Sequence, residues 1–462
     1  MLKASPEKIA FLKASEKVSF DKEHRETINY NISKYDTAVE KGQKIYSNID
    51  LARSRAGYLK YKVINDLDKY LIEFEDNFTK NGGKIIWAQD SAEAIKEIKK
   101  IIKHHGLKKM VKSKSMVTEE IELNAALEKS GMEVYETDLG EFIVQKAGQK
   151  PYHIVTPAMH MSKEDVAELY TEKFGVEPNL SPEELTLFTR DFLRKKFIES
   201  DLGVSGANFL IADTGSIALT ENEGNAMLSM SFPEIHIAIS GIEKIIPNME
   251  DLDLFWPLLA THGTGQQLTA YNSIISGPRT ENEKNGPKEM YLVLLDNGRS
   301  NLLAQEKQRQ ALSCIRCGAC LNSCPVYKNI GGHTYDTTYS GPIGAVITPY
   351  LKNFKSYNHL SYASSLCGKC TTVCPVKIPL HEFLLLNRND AVKKNIPPFM
   401  EKQANKWSTM ALGSRNLLDM TSGSTKNFFG KKFGAKAWGP RREFPEFAPK
   451  SFSQIWKDKE KK

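Results

Sequence analysis

Short apolar runs alternate with amphipathic stretches through the middle of this 462-residue chain. Residues 84–88 predict a buried strand, and Asp90 then begins a helix that ends at Gly106, with Glu93 completing a capping box. Further strands are predicted at residues 110–111, 132–135, 152–155, 208–212, 216–220, 235–239 and 290–295. Further helices are predicted at residues 119–130, 162–174, 182–200 and 241–259, the last interrupted near Pro247. This alternation indicates an α/β fold, a mostly parallel sheet covered by helices on both faces.

Helical patterns flank the α/β segment on both sides. Residues 1–80 read as polar helices, and residues 300–312 and 380–394 predict helices around a cysteine-rich region. The chain therefore divides into four predicted parts: an N-terminal helical segment at 1–75, the α/β domain at 76–298, a mainly α-helical ferredoxin-type two-cluster domain at 299–395, and a basic C-terminal extension at 396–462.

Charge adds information only at the C-terminus. The formal net charge is +7, and residues 431–462 hold ten Lys/Arg against four Asp/Glu. Such a tail predicts a solvated surface or a contact with an acidic partner, an anionic membrane or, least expected, nucleic acid. No apolar run reaches the roughly 18 residues that span a bilayer, and the N-terminus lacks the apolar core of a secretory signal. We expect a cytoplasmic protein, with peripheral contact at the inner face of the membrane as an option.

All seven cysteines lie in one 61-residue stretch and form two runs. Each run ends in a Cys-Pro pair, and the first has the spacing of bacterial ferredoxins. The first run is Cys314, Cys317, Cys320 and Cys324, and the second is Cys367, Cys370 and Cys374. Two such runs predict ligands for two iron–sulfur clusters.

The ferredoxin pattern also predicts which cysteines share a cluster, because the cysteine before each proline ligates the cluster of the other run. Cluster A, a four-iron cluster, then takes Cys314, Cys317, Cys320 and Cys374. Cluster B takes Cys324, Cys367 and Cys370.

Cluster B is one thiolate short, because Ser364 stands where the spacing expects a further cysteine. Three explanations stay open: a three-iron cluster, a four-iron cluster completed by Ser364, water or another oxygen ligand, or a ligand from elsewhere in the chain. Loss of a thiolate removes negative charge, so we expect a higher reduction potential for cluster B than for cluster A.

Other uses of the cysteines are less consistent with the spacing. Zinc motifs usually separate two C-x2-C pairs by a dozen or more residues, and a purely structural cluster usually needs one set of four cysteines. The chain has no G-x-G-x-x-G motif after a strand, no P-loop and no H-E-x-x-H motif. A flavin or catalytic metal that would start an electron chain has no visible site, so we expect the electrons to come from a partner.

Several segments together resemble one known family, the iron–sulfur subunits of the bacterial lactate utilisation complex. In the cysteine-rich region the similar segments are residues 314–327, 341–349 and 365–378. In the α/β domain they are residues 113–121, 213–222, 264–272 and 276–279. The resemblance covers roughly residues 70–460.

The resemblance implies a fold, partners and an activity. The α/β domain would be of the LUD type, similar to ribose-phosphate isomerases and CoA transferases. The partners would be a cysteine-rich subunit with CCG motifs and a second subunit with a lone LUD domain. The assembly would oxidise L-lactate to pyruvate and pass electrons toward the respiratory chain, with this chain not catalytic alone. The family pattern also has seven cysteine ligands, so Ser364 is not a defect of this chain.

The alternative is a stand-alone α/β enzyme that acts on a small carboxylate or phosphate and carries its own cluster relay. Glu221 faintly resembles the glutamate turn of CoA transferases, although a turn rich in Asn, Glu and Gly is more often only a turn. Residues 113–118 and Arg279 could bind an anion. The histidines that could act as bases or ligands are His153, His160, His236 and His262, although lone histidines more often have structural roles.

Overall fold

The structure is a computed structural model, and it describes residues 5–434 and 443–460. The chain forms two compact units, of which one ends at Lys393 and the other begins at Lys394. The first unit contains the N-terminal helices, the α/β domain and the cysteine-rich region together.

Four helices open the first unit: α1 (Pro6–Ser19), α2 (Lys22–Gln43), α3 (Ile49–Asn65) and α4 (Leu67–Lys80). The side chains of Ser5, Asp21 and Asn48 accept N–H hydrogen bonds at the starts of α1, α2 and α3. Ile28 on α2 is buried in the same core as the cysteine-rich region, and Phe74 on α4 is buried in the core of the α/β domain. The N-terminal helices therefore pack on both later parts of the unit.

Ten strands occur in the described residues: β1 (Lys84–Ala88), β2 (Lys109–Lys112), β3 (Glu133–Glu136), β4 (Leu202–Ser205), β5 (Phe209–Ile211), β6 (Ser216–Glu221), β7 (Ile235–Gly241), β8 (Ile245–Ile246), β9 (Tyr271–Ile275) and β10 (Glu289–Leu295). Six of them form a sheet in the order β1-β10-β7-β4-β2-β3, and every neighbouring pair is parallel. The predicted α/β class with a mostly parallel sheet is confirmed.

The remaining four strands form a separate sheet in the order β8-β5-β6-β9. The predicted strands at 208–212 and 216–220 both belong to this sheet and pair antiparallel. Strand β9 also pairs antiparallel with β6, and the sequence pattern did not predict it. The turn at residues 213–215 explains the arrangement, because a tight connection can join only antiparallel strands.

Eight helices accompany the two sheets: α5 (Ser91–His105), α6 (Met116–Glu120), α7 (Leu123–Glu128), α8 (Leu139–Lys146), α9 (Lys163–Phe174), α10 (Pro182–Glu199), α11 (Asn225–Ser231) and α12 (Leu252–Thr264). Helix α5 has the predicted ends, since Asp90 accepts the Glu93 N–H and Gly106 takes a left-handed conformation with φ of 68°. Helices α9 and α10 pack through a cluster of aromatic rings that includes Phe174, Phe188 and Phe192.

Two predicted elements of the α/β domain are wrong, one entirely and one in part. Residues 152–155 form no strand, and Tyr152, His153 and Ile154 are instead buried in an irregular segment. Of the predicted helix at 241–259, the part after the interruption near Pro247 is present as α12 from Leu252, but the part before it is not α-helical, because Gly241 still belongs to β7. In both places the apolar residues are buried by tertiary contacts, although their spacing along the chain had indicated a regular strand or helix.

The cysteine-rich region contains seven helices: α13 (Arg299–Leu303), α14 (Ala319–Asn322), α15 (Pro325–Ile330), α16 (Gly341–Leu351), α17 (Phe354–Tyr357), α18 (Lys369–Thr372) and α19 (Leu380–Lys393). Every residue of α16 is buried. Gly344 is needed there, because a Cβ at this position would lie 1.9 Å from the carbonyl oxygen of Tyr339. This helix packs against the first cysteine run through α14 and against α19, which follows the second run.

The second unit has four described helices: α20 (Phe399–Gly413), α21 (Arg415–Asp419), α22 (Gly423–Phe429) and α23 (Phe452–Glu460). Large apolar side chains are exposed along it, and Phe399, Trp407, Leu412, Met420 and Phe452 are each more than 65% exposed. No residue of α20, α21 or α23 is buried. Part of the basic stretch, residues 435–442 and 461–462, lies outside the described residues.

Candidate iron–sulfur centre

The two cysteine runs adopt the same local backbone. Arg316 has φ of 63° and Gly318 has φ of 79°, and at the matching places of the second run Leu366 has φ of 56° and Gly368 has φ of 77°. In each run the glycine is followed at once by a one-turn helix, α14 or α18, that carries the next cysteine. The sequence repeat of the cysteines is therefore a structural repeat as well.

Four cysteines from the two runs line one small cavity: Cys314, Cys317, Cys320 and Cys374. Apolar side chains close the cavity, among them Ile315, Ile343, Val376 and Leu380. The cysteine that precedes Pro375 thus lies with the first run rather than with its own. All seven cysteines are free thiols, so none is used in a disulfide.

The environment of these four thiols suits an iron–sulfur cluster. Burial, with repulsion from the neighbouring sulfurs, raises the pKa of Cys317 and Cys320 far above that of a free thiol, and burial raises the pKa of Cys374 to about 11. Such thiols ionise only if positive metal compensates their charge. Backbone N–H groups are already directed at two of the sulfurs, from Arg316 to Cys314 and from Ile378 to Cys374, each at 3.4 Å.

The other three cysteines form a second group that is more open to solvent. Cys324 and Cys370 are buried, whereas Cys367 is exposed. Burial is again the main cause that raises the pKa of Cys324 and Cys370, and these two thiols and Cys367 lie close enough to repel one another when ionised. One edge of this second group therefore faces the surface.

Ser364 occupies the place in the second run that Cys314 occupies in the first. The Leu366 N–H donates to Ser364 Oγ at 3.1 Å, and the Arg316 N–H donates to Cys314 Sγ at 3.4 Å. In both runs the donor lies two residues after the acceptor and has a left-handed backbone. The hydrogen bond therefore gives the serine oxygen the same orientation as the cysteine sulfur.

Buried charged groups surround Cys314, and the sequence pattern gave no signal for them. The side chains of Lys60 and Lys244 are buried, that of Arg316 is nearly so, and all three interact electrostatically with Cys314. Lys60 Nζ donates to the carbonyl oxygens of Glu243 and Ile245 at 2.7 and 2.8 Å. These groups come from helix α3, the segment after β7 and the cysteine loop, so only folding brings them together.

Two carboxylates balance part of this positive charge. Glu243 contacts Arg299 at 2.6 Å and Arg316 at 3.2 Å, and Glu120 contacts Arg299 at 2.9 Å. Tyr339 Oη donates to Glu120 at 2.7 Å, and its ring lies 4.4 Å beneath the Arg316 guanidinium. The arginines hold the pKa of Glu243 low, at about 2, despite its burial. Burial lowers the pKa of Lys60 to about 7 and that of Lys244 to about 8, so Lys60 is only partly charged at neutral pH. The positive charge of the two lysines and two arginines still exceeds the negative charge of the two carboxylates, so the surroundings favour a negatively charged group at Cys314.

The α/β residues singled out from the sequence have structural partners. Glu221 accepts the N–H groups of Ala226 and Met227 at the start of α11, at 2.7 and 2.9 Å. Ser115 and Thr118 bond within α6 and to Lys112, and Arg279 donates to the Lys284 carbonyl. These residues therefore do not converge on one anion site.

The four histidines singled out from the sequence also make structural contacts. Each has a local hydrogen-bond contact, with Val155, Gln149, Ser205 and Leu258 respectively for His153, His160, His236 and His262. Burial lowers the pKa of each, to about 3 for His153 and His236 and about 4 for His160 and His262. All four are therefore neutral at physiological pH.

Within the described residues, no helix combines the length and apolarity needed to cross a membrane. The apolar side chains of the second unit lie on helices that also carry Lys and Arg.

Comparison with known protein families agrees with this description. Residues 71–295 match the LUD domain, and residues 310–378 match the 4Fe-4S dicluster domain. The fold and the cysteine groups thus define a class of protein in which a LUD-type α/β domain is joined to a ferredoxin-type iron–sulfur domain.

The relatives narrow this class to one family. Proteins called Lactate utilization protein B from Bacillus thuringiensis (strain Al Hakam), Bacillus cereus (strain AH187) and Bacillus anthracis (strain A0248) are each 45% identical to this chain over 414 residues. The alignment covers 87% of this chain and 87% of each relative. The chain belongs to the lactate utilization protein B family, and the predicted family is confirmed.

A crystal structure of a DUF162 family protein from Deinococcus radiodurans matches 50% of this chain and 98% of its own, with 15% sequence identity and a TM-score of 0.28. A similarity at this level supports no structural argument.

Proposed function

We propose that this chain is the iron–sulfur electron-transfer subunit of a complex that oxidises L-lactate to pyruvate, and that it relays the electrons toward the respiratory chain. One observation carries the proposal: seven free cysteines converge in two groups that exchange a ligand, within the dicluster domain of a family named for lactate utilisation. Oxidation of lactate to pyruvate releases two electrons, and two one-electron centres can accept both.

The proposed ligands follow the two groups. Cluster A is bound by Cys314, Cys317, Cys320 and Cys374, and cluster B is bound by Cys324, Cys367 and Cys370. When bound, the clusters supply one-electron transfer. Three of the four cysteines that would hold cluster A are buried and Cys314 is partly exposed, whereas exposed Cys367 would place cluster B near the surface. We propose that electrons exchange with a partner through the cluster B side.

Ser364 is the proposed fourth ligand of cluster B. Its hydroxyl oxygen would bind the fourth iron and lose its proton to solvent, with no change of oxidation state. The matching N–H bonds to Ser364 Oγ and Cys314 Sγ support this assignment. The missing thiolate raises the potential of cluster B, but the buried cations at Cys314 raise that of cluster A, so the balance of the two effects sets their order.

The variants Ser364→Ala and Ser364→Cys test this ligand by EPR and Mössbauer spectroscopy of the anaerobically purified chain. We expect a four-iron cluster B in the wild type, its conversion to a three-iron cluster in Ser364→Ala, and a lower cluster B potential in Ser364→Cys. A three-iron cluster B in the wild type, or a four-iron cluster unaffected by Ser364→Ala, would rule out the serine ligand. Ser365→Ala is the matched control, because Ser365 is the next residue in the chain and is exposed.

The proposed partners are a cysteine-rich subunit with CCG motifs and a second subunit with a LUD domain. The chain is not expected to oxidise lactate alone. L-lactate should bleach the cluster absorbance only when both partners are present with the purified chain. Reduction of the clusters by L-lactate in the isolated chain would refute a purely electron-accepting role.

We also propose a peripheral contact with the inner face of the membrane through the second unit. Exposed Phe399, Trp407, Phe428 and Trp456 share this unit with the basic residues of the tail, a combination that suits an anionic lipid surface. Vesicles that contain anionic lipid should sediment the full chain and not a chain truncated after residue 393. Equal binding to neutral vesicles would show that the basic residues do not contribute to membrane binding.

A second candidate function rests on a separate cavity of about 560 Å³ between α10 and α11. Arg190 and Arg194 lie at its wall and Leu193, Phe197 and Leu228 line its apolar part, so it suits a small carboxylate with an apolar body. Under this alternative the α/β domain is itself an enzyme. Thermal stabilisation of the chain by lactate that is lost in Arg190→Gln would favour it.

A further inference from the structure

An acidic cavity lies at the carboxyl edge of the six-stranded sheet, away from the cysteines. Its volume is about 420 Å³. Strands β2 and β3 end beside it with paired residues Lys112 and Glu136. From β2 the chain moves outward to β3 and then crosses back to β4 on the other side of β2. The cavity therefore lies at the carboxyl ends of the two outer strands, β2 and β3.

Three carboxylates meet in this cavity. One oxygen atom from each of Glu119, Glu136 and Glu141 lies within 4.8 Å of the other two. They come from α6, the end of β3 and the first turn of α8, so the fold rather than local sequence brings them together.

Two of these carboxylates are buried and incompletely bonded. Glu136 and Glu141 are each 2% exposed, and one oxygen of each has no hydrogen-bond partner among the described residues. The side-chain oxygen of Asn124, in the wall of the same cavity, is also without a partner there. Buried polar atoms are usually paired, so several unpaired oxygens at one place indicate a missing partner that accepts oxygen ligands.

The charge balance points to a cation. Lys112 Nζ contacts Glu136 at 2.8 Å and Glu119 at 3.2 Å, and it also donates to Thr118 Oγ1 at 2.9 Å. One ammonium group therefore pairs directly with two of the three carboxylates, and Glu141 has no ion pair among the described residues. An anionic substrate would be repelled from this cavity.

We propose that Glu119, Glu136 and Glu141, with the Asn124 side-chain oxygen, form a binding site for one divalent cation in the α/β domain. Carboxylate and amide oxygens without sulfur or imidazole select hard ions such as Mg²⁺, Mn²⁺ or Ca²⁺. The site is independent of the iron–sulfur clusters and of the proposed lactate oxidation. Lys112 positions Glu119 and Glu136 and holds the site together without the ion.

Titration of the full cluster-containing chain with Mn²⁺ tests the proposal, with the room-temperature EPR signal of free Mn²⁺ as the readout. We expect loss of one equivalent of the free signal, and its recovery when excess Mg²⁺ or Ca²⁺ competes. Glu141→Gln should weaken binding at least tenfold. The substitution keeps the size of the side chain, and Gln is neutral as the buried carboxyl is when protonated, so the fold should survive.

Glu122→Gln is the matched control, because Glu122 lines the same cavity but is exposed at its rim. This variant should bind Mn²⁺ as the wild type does. No loss of free signal up to about 1 mM Mn²⁺, the weak end of protein cation sites, would overturn the proposal. So would equal binding by wild type and Glu141→Gln. The cluster absorbance should be the same in every variant. A loss of Mn²⁺ binding can then be distinguished from a failure of the proposed electron transfer.

Discussion

Single residues that are not ligands of cluster A should still change its reduction potential. Lys60, Lys244 and Arg316 place positive charge around Cys314 in a region closed to water, where charges interact strongly. Reduction adds an electron to the cluster, so nearby buried cations stabilise the reduced state. Cysteine spacing alone carries no information about this effect.

Lys244→Met should therefore lower the potential of cluster A and leave that of cluster B nearly unchanged. Met keeps the apolar stem of the lysine and removes its charge. Potentiometric titration followed by EPR measures both values. Lys129→Met, which removes an exposed lysine, should change neither potential. An unchanged cluster A potential in Lys244→Met would show that this lysine does not tune it.

One buried histidine should also make the stability of the fold depend on pH. Burial lowers the pKa of His236 to about 3, below the unfolded value of about 6.5. The unfolded chain therefore binds the extra proton first, and stability falls as pH drops from 6.5 toward 3. Between pH 7 and pH 5 this costs about 2 kcal/mol.

His236→Gln should reduce the loss of unfolding free energy between pH 7 and pH 5 by about 2 kcal/mol. Anaerobic urea unfolding followed by tryptophan fluorescence measures the loss at both pH values. His104→Gln, at an exposed position, should keep the wild-type pH dependence. Identical pH dependence in His236→Gln and the wild type would contradict the buried, neutral histidine.

At the scale of elements, the two cysteine loops are repeats with different neighbours. Gly318 and Gly368 have nearly the same left-handed backbone, with φ of 79° and 77°. A Cβ at Gly318 would lie 3.0 Å from Val155 and 3.2 Å from His153, whereas a Cβ at Gly368 would meet nothing within 4 Å. The first loop is enclosed by the irregular segment around residue 154, and the second loop is open.

Gly318→Ala and Gly368→Ala should therefore destabilise the protein unequally. Both substitutions carry the strain of a left-handed alanine, about 1–2 kcal/mol. Gly318→Ala adds crowding against Val155 and His153, so it should lose more unfolding free energy and more cluster A iron. Urea unfolding and iron analysis compare the pair. Equal effects would mean that the first loop is not enclosed as described.

At the scale of the whole first unit, a buried ion-pair network joins the α/β domain to the cysteine-rich region. Arg299 is fully buried and bridges Glu120 and Glu243, and Glu243 also contacts Arg316 in the first cysteine loop. The carboxylates lie in the α/β domain. The two parts should therefore unfold together rather than as independent domains.

Arg299→Met should destabilise the unit by about 3–5 kcal/mol, because it removes the guanidinium that both buried carboxylates contact and leaves their charge only partly balanced. Urea unfolding should show the cluster absorbance and the tryptophan fluorescence lost in one transition in the wild type. Lys288→Met removes only the exposed pair with Glu234 and should barely change the midpoint. A similar midpoint shift in both variants would show that the buried network contributes little.

The sequence by itself determined the features that depend on residues close together in the chain. Cysteine spacing identified the cluster domain, the capping pattern around Asp90 and Gly106 placed α5, and alternating strands and helices gave the α/β class. These features depend on neighbours within a few residues, where the chain's geometry is fixed by short-range contacts. The family resemblance then supplied what spacing could not, the expected activity and partners.

Only the tertiary structure decided which distant groups meet. Residues far apart in the chain meet in the second, mixed sheet, in the packing of the irregular segment at 152–155, in the cations around Cys314 and in the three carboxylates near Lys112. Burial changes the charge state of such groups because it removes water, and sequence order carries no measure of burial. The chain's order thus predicted which cysteines are the cluster ligands, and the fold determined the electrostatic surroundings of those cysteines.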